Sequence, residues 1–173
     1  MNRDHTYADY KALIEKIRSA RPEIALSGDF IVGFPGETDA DFEQTMKCVE
    51  EIGYASSFSF KYSVRPGTPG ASMPRQVPED VKSERLKRLQ DVLYRQQEAH
   101  NKSLIGRTLA VLVEGEGRQA GQLFGRSPYL TGTHFDGPTN LIGQIVDVQI
   151  EDCLLYTSPS PRDLSTSRMP SSA

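Results

Sequence analysis

Cysteine is nearly missing from this chain. Only Cys48 and Cys153 occur among 173 residues, far apart and with no Cys-x-x-Cys spacing or adjacent histidine cluster. Thiolates and imidazoles are the usual ligands of zinc and iron–sulfur centres, so a metal site made by this chain alone is excluded. His5, His100 and His134 are scattered, and no Ser-His-Asp or Cys-His set has the spacing of a nucleophilic site. No candidate catalytic residue emerges. Long apolar runs are also missing. None approaches the roughly 20 residues that span a bilayer, and Met1–His5 has no apolar core. A cytoplasmic chain with no membrane partner and no structural disulfide is expected. Excess positive charge is absent as well: 20 Lys and Arg face 23 Asp and Glu, a net charge of −3. A domain that grips nucleic acid by charge alone is usually basic. Any RNA contact must therefore be local, or be helped from elsewhere. There is no Gly-x-Gly-x-x-Gly and no Walker lysine.

What is present is ordinary globular composition, 37% hydrophobic and 25% charged, and a clear change of pattern along the chain. Thr6 and Asp9 have capping-box spacing, followed by Tyr10, Leu13, Ile14 and Ile17 at helical period. Arg21-Pro22 ends that helix. Residues 24–34 are short, apolar and β-branched near their end, which predicts a buried parallel strand. Thr38 caps the next helix, with Asp39, Asp41 and Glu43 crowding its first turn. Phe42, Met46, Val49 and Ile52 form its buried stripe, and Gly53 stops it. Residues 56–62 alternate as a second strand, giving strand–helix–strand. A Pro/Gly-rich loop over 63–70 precedes a long helix from Pro78 to about Asn101. In that helix Leu86, Leu89 and Leu93 face inward, while Lys82, Glu84, Arg85, Lys87 and Arg88 read as mostly solvated.

After Gly106 short strand-like runs at 108–113, 122–126 and 144–150 are punctuated by glycines. They predict a small antiparallel β-barrel or meander. The expected organisation is α/β over 1–102 followed by all-β over 103–152. Two strands cannot complete a doubly wound sheet or a barrel. The α/β part thus reads as the last part of a larger domain, with Met1 an internal methionine. Residues 153–173 are, from Tyr156 on, mostly Ser, Pro, Thr and Arg, without period or apolar face. They predict disorder and resemble translated sequencing-adapter read-through, so native sequence is expected to stop near Asp152.

One stretch carries more chemistry than the rest: Asp29-Phe30-Ile31-Val32-Gly33-Phe34-Pro35-Gly36-Glu37-Thr38. Strand, tight turn and helix start follow within about ten residues, which is expected to put bare N–H groups at the carboxyl edge of a sheet, where α/β proteins bind ligands. A plain strand-to-helix connection shaped by Gly and Pro fits the same residues. The order continues through Phe58-Ser59-Phe60-Lys61-Tyr62-Ser63-Val64-Arg65-Pro66-Gly67-Thr68-Pro69, then Gln76-Val77-Pro78-Glu79-Asp80-Val81-Lys82 and Glu84-Arg85-Leu86. Together these motifs closely resemble the carboxyl-terminal half of the radical S-adenosylmethionine methylthiotransferases, most of all the MiaB-type tRNA branch. Residues 107–152 are similar to the RNA-binding TRAM barrel that closes such proteins.

The resemblance implies the last part of a radical-SAM partial (β/α) barrel plus a TRAM barrel. It implies S-adenosylmethionine and two 4Fe–4S clusters as cofactors of the full-length parent, and 2-methylthiolation of N6-isopentenyladenosine beside the anticodon of tRNA. Neither the Cys-x-x-x-Cys-x-x-Cys of the radical cluster nor the three further cysteines of the second cluster is present, so this chain alone is expected to be inactive. The partners implied are the tRNA anticodon stem–loop and the amino-terminal domains of the same protein. By the same resemblance Ile31, Val32, Gly33, Phe34, Tyr62 and Ser63 would line the cofactor pocket. Arg65 would grip a carboxylate or an RNA phosphate, or simply hold the Pro-rich loop. Glu37 is read as favouring its helix N-terminus rather than holding a cofactor amine. On the β part Arg107, Arg126 and Tyr129 are the RNA candidates, near Arg118, Phe124, His134 and Phe135. Against this, Phe124 and Phe135 also read as core, and residues 103–152 hold three Arg against six acidic residues. Two alternatives remain open: a sister methylthiotransferase acting on threonylcarbamoyl-adenosine or a ribosomal protein, and a non-catalytic RNA-binding module.

Overall fold

The computed structural model describes residues 5–154 and 164–168. The chain divides into two compact units, Met1–Gln97 and Glu98–Ala173, with the boundary inside the long helix.

In the first unit, helix α1 (Tyr7–Ala20) starts at the expected capping box, with Thr6 and Asp9 bonding each other's backbone. Thr38 and Asp41 repeat the device for helix α2 (Asp39–Ile52), which ends at Gly53. Each box satisfies N–H groups that a helix start leaves without partners. Between these helices lies strand β1 (Ser27–Val32), which pairs in parallel with β2 (Ser56–Lys61), Ile31 opposite Phe60 and Asp29 opposite Phe58. A short helix α3 (Pro69–Ser72) and the long α4 (Glu79–Lys102) follow. The core joins Ile14 of α1, Phe42, Met46, Val49 and Ile52 of α2, Leu89, Val92 and Leu93 of α4, and Val32 of β1.

Two expectations need correction here. The strand is not buried on both faces. Val32 is in the core and Phe30 packs against it, but Ile31, Phe58 and Phe60 are 42–55% exposed. Side chains alternate across a strand, and the helices cover only one face of this sheet. Nor are Lys82 and Arg85 solvated; both are buried. Their long stems lie along the inward face of α4, and their charged ends find acceptors described below.

The second unit is a closed barrel with strand order β3-β4-β5-β7-β6. The strands are β3 (Thr108–Glu116), β4 (Gln122–Arg126), β5 (Gly132–Asp136), β6 (Ile145–Leu154) and β7 (Leu164–Arg168), with a 3₁₀ turn at Thr139–Leu141. Every pairing is antiparallel except the parallel β5·β7 contact. Inside are Leu104, Leu109, Val111, Val113, Leu123, Phe135, Val148 and Ile150. Gly125 occupies an inward position where a Cβ would come within 2.5 Å of the Leu112 carbonyl oxygen. Only glycine lets β4 approach β3 that closely.

Strand β5 escapes the sequence pattern. Its Thr133, His134 and Phe135 are all buried, so no polar–apolar alternation marks it. β6 runs past Asp152 to Leu154, and residues 164–168 form a strand, where composition predicts neither. The rest of the expected tail, 155–163 and 169–173, lies outside the described residues.

Candidate functional site

The loop from Gly33 to Thr38 leaves β1 and enters α2. Its amides are not bare. Gly33 N–H donates to Glu37 Oε2 at 3.0 Å, Gly36 N–H to the Arg75 carbonyl at 2.9 Å, Glu37 N–H to the Phe34 carbonyl at 2.9 Å and Thr38 N–H to Asp41 Oδ2 at 2.9 Å. A turn this tight recruits its own acceptors, so most of the anion-binding capacity expected of it is already used.

Glu37 has a third role beyond the two anticipated. Its Oε1 accepts from Arg85 Nη1 at 2.7 Å while its Oε2 holds Gly33, and Arg85 Nη2 reaches Asp39 at 2.6 Å. Arg85 is only 6% exposed and stacks over the Phe42 ring, 5.5 Å from its centroid. Lys82 works beside it. Its Nζ donates to the Tyr62 carbonyl at 3.3 Å and pairs with Glu79 at 3.0 Å. One turn of α4 thus fastens the exit of β1 through Arg85 and the exit of β2 through Lys82. The sequence gives no direct signal for this, because charged residues on a helix are solvated far more often than buried.

The six expected cofactor residues lie at the adjacent ends of β1 and β2 but do not face one way. Phe34 meets Tyr62 edge-to-face at 5.1 Å, and Tyr62 N–H donates to the Val32 carbonyl at 2.8 Å. Ser63 is exposed, Ile31 looks out from the open sheet face, and Val32 turns into the helix-side core. Tyr62 Oη is buried without a partner among the described residues. Arg65 is exposed, and its carbonyl accepts from Thr68 Oγ1 at 2.8 Å. A cavity of about 390 Å³ opens on the far side of the loop, between Gly36–Asp39, Arg75–Pro78 and Arg85, and none of the six lines it. Arg75 there has φ 59°, a second feature the sequence pattern misses. Among the described residues no group of three or more His, Cys, Asp or Glu is placed to hold a metal.

The barrel splits its RNA candidates into two groups. On the outer face of β4 and β5, Arg126 lies over the Phe124 ring at 5.9 Å, and Phe124 lies 5.0 Å from His134. Arg126 Nε also binds both oxygens of Glu114, at 3.0 and 3.1 Å. Phe135 is core, as one reading of the sequence has it, whereas Phe124 is half-buried on the outer side. The second group surrounds His100: Tyr129 meets its ring edge-to-face at 5.4 Å, and the Arg107 charge adds to burial in lowering the His100 pKa.

Residues 102–158 match the family model described as TRAM domain. The match covers all of β3 to β6 and runs beyond Asp152. Curated relatives extend the likeness to the unit ahead of these residues. The chain is 62% identical over 151 residues to a protein of Maricaulis maris (strain MCS10) named tRNA-2-methylthio-N(6)-dimethylallyladenosine synthase, covering 87% of this chain and 33% of that one. It is 62% identical over 150 residues, with the same coverage, to a protein of that name from Agrobacterium fabrum (strain C58 / ATCC 33970). The chain therefore spans about a third of the length of the curated relatives it matches. No helix among the described residues is long and apolar enough to cross a membrane.

Proposed function

We propose that this sequence is the cofactor-wall and RNA-holding portion of a MiaB-type tRNA methylthiotransferase acting in the cytoplasm. The observation that carries this reading is 62% identity over 151 residues that run through both the α/β unit and the TRAM domain. Identity at that level across a strand-exit loop and its buried Glu37–Arg85 support argues for the same use of the loop. On this reading β1 and β2 are the last strands of a radical-SAM partial barrel.

The residues present do not fit an iron–sulfur cluster. The chain has two distant cysteines, and no group of three or more candidate ligands stands together among the described residues. Ile31, Phe58 and Phe60 instead offer an apolar wall on the open sheet face, suited to the adenine of S-adenosylmethionine. Ile31, Val32, Gly33, Phe34, Tyr62 and Ser63 remain the residues proposed to hold that cofactor. When bound it supplies the methyl group and the radical precursor. Arg65, Arg107, Arg126 and Tyr129 remain the proposed tRNA contacts, with the anticodon stem–loop as target.

The test joins this chain behind the upstream two-thirds of the Maricaulis relative. The fusion is assayed without oxygen for 2-methylthio-N6-isopentenyladenosine by mass spectrometry of tRNA nucleosides. Product is expected at a rate within about tenfold of the intact relative. Bound tRNA without product, in a fusion that carries both clusters, would instead favour the non-catalytic RNA-binding reading. Product on threonylcarbamoyl-adenosine tRNA alone would favour the sister enzyme.

A further inference from the structure

The β4–β5 turn of the barrel places a leucine at the left-handed third position of a three-residue hairpin, where Gly or Asn is the usual occupant. Leu130 has φ 60°, a left-handed conformation that side chains branched beyond Cβ rarely adopt and that Gly or Asn would occupy with less strain. It is also 75% exposed, the most exposed large hydrophobic of the described residues. The turn is well built. Ser127 is buried, its N–H donates to the Thr131 carbonyl at 3.0 Å, and its own carbonyl accepts from Leu130 N–H at 2.9 Å. Its Oγ accepts from Tyr129 N–H at 3.3 Å, and Pro128 fixes one more φ. The fold therefore holds an unburied aliphatic side chain rigidly at a hairpin tip, at a conformational cost.

The hairpin explains the left-handed backbone at this position but not the choice of an exposed leucine for it, and a costly residue that the fold does not require points to a function outside it. The surroundings indicate which. Arg126, immediately before the turn, carries its guanidinium over the Phe124 ring. Across the sheet from Arg126 lies Leu112, and across from Leu112 lies Ile145. Both are exposed, Ile145 to 70%. An outer row of aliphatic side chains interrupted by a guanidinium that stacks on Phe124 and pairs through Nε with Glu114 offers flat apolar contact beside the remaining N–H donors of Arg126, which suits unpaired nucleobases on a phosphate backbone.

We propose that Leu130 is a wedge that enters between unpaired bases of a bound RNA loop and holds them apart, with Arg126 and Phe124 flanking it. Small apolar side chains unstack base steps elsewhere by the same physics. This rests on the RNA reading of the TRAM domain, and it names the residue that makes the contact.

The experiment uses the full chain and an anticodon stem–loop RNA carrying fluorescein at one end and 2-aminopurine in the loop. For the native chain, 2-aminopurine fluorescence rises on binding as the base leaves its stack. Leu130→Gly is expected to melt no lower than the native chain, since its φ strain is relieved, yet to bind at least tenfold more weakly and to lose the fluorescence rise. Leu130→Asn, which tolerates the same φ without an apolar wedge, behaves alike. Leu130→Met keeps both signals. Native-like binding and unstacking in Leu130→Gly or Leu130→Asn overturns the wedge while leaving the RNA reading intact. No RNA binding by the native chain overturns both.

Discussion

His134 puts a pH response into a single side chain. It is buried, both ring nitrogens lack partners among the described residues, and its ring lies against Phe124. Burial, and then the charge of Arg118, lower its pKa from the ordinary 6.5. The unfolded chain therefore takes up a proton before the folded chain does. Stability from this residue is complete above about pH 6.5, is lost as pH falls below that value, and stops falling below the folded pKa. His100, lowered by burial and by Arg107, acts in the same sense. The lowered carboxylates, by contrast, sit in the first unit: Glu51, brought to about 2 chiefly by its bond from Lys11, with Asp9, Asp41 and Glu79. Their contribution persists until much lower pH. Amide exchange at pH 7.5 and pH 5.5, corrected for intrinsic rates, should show weakened protection in the barrel and little change in residues 5–97. His134→Phe, which keeps an aromatic partner for Phe124, should remove a large part of that pH dependence. Equal slopes in the native and variant barrels would show that burial of the imidazole has no energetic consequence.

At the scale of elements, one turn of α4 and two strand exits form a unit. The extreme point of contact is Gly33. Its φ is 73°, and a Cβ there would lie 2.1 Å from Cγ of Lys82. Gly33→Ala therefore combines left-handed strain with a steric clash against a buried stem. A loss of about 2–4 kcal/mol is expected, the sum of roughly 1 for conformation and 1–3 for overpacking. In Gly33→Ala/Lys82→Ala the clash disappears and the conformational strain remains. Urea unfolding of both singles and the double should then return a favourable coupling of about 1–2 kcal/mol. Strict additivity would mean that the two residues do not meet as described. Much of this unit is legible in the sequence. Thr6 and Asp9, and Thr38 and Asp41, sit at capping-box spacing, the α2 stripe repeats at helical period, and β1 and β2 flank a helix of the right length. Those signals are local. The clamp is not local: Arg85 and Glu37 are 48 residues apart, and nothing near either one distinguishes a buried arginine from a solvated one. β5 stayed hidden for a related reason. His134 is buried on the outer side of the barrel, beside Phe124, which erases the alternation that a strand of its length would otherwise show. The candidate site was legible as a set of motifs, but the use of its amides was not, because their acceptors are side chains and carbonyls from the loop and from Arg75.

For the molecule as a whole, charge limits what kind of RNA binder the proposed function allows. The chain carries a net −3, and many of its cations are already paired: Lys11 with Glu51, Lys61 and Lys82 with Glu79, Arg85 with Glu37, Arg88 with Glu43 and Arg126 with Glu114. The β part between residues 103 and 152 offers Arg107, Arg118 and Arg126 and no lysine. Each phosphate neutralised on a single-stranded loop releases roughly 0.7 of a counterion. Three arginines thus limit the slope of log affinity against log salt to about −2. Binding dominated by charge would give a slope several times steeper. Anisotropy titrations of the full chain with an anticodon stem–loop between 50 and 200 mM salt are expected to return a slope between −1 and about −2, with affinity falling less than about twentyfold over that range. Arg126→Ala should flatten it by less than one full contact, since Glu114 already holds that guanidinium on both oxygens. A slope near −5 would require basic surface that these residues do not supply. It would shift recognition from the proposed stacking and apolar contact with half-buried Phe124 and exposed Leu130 to an electrostatic track along the phosphates.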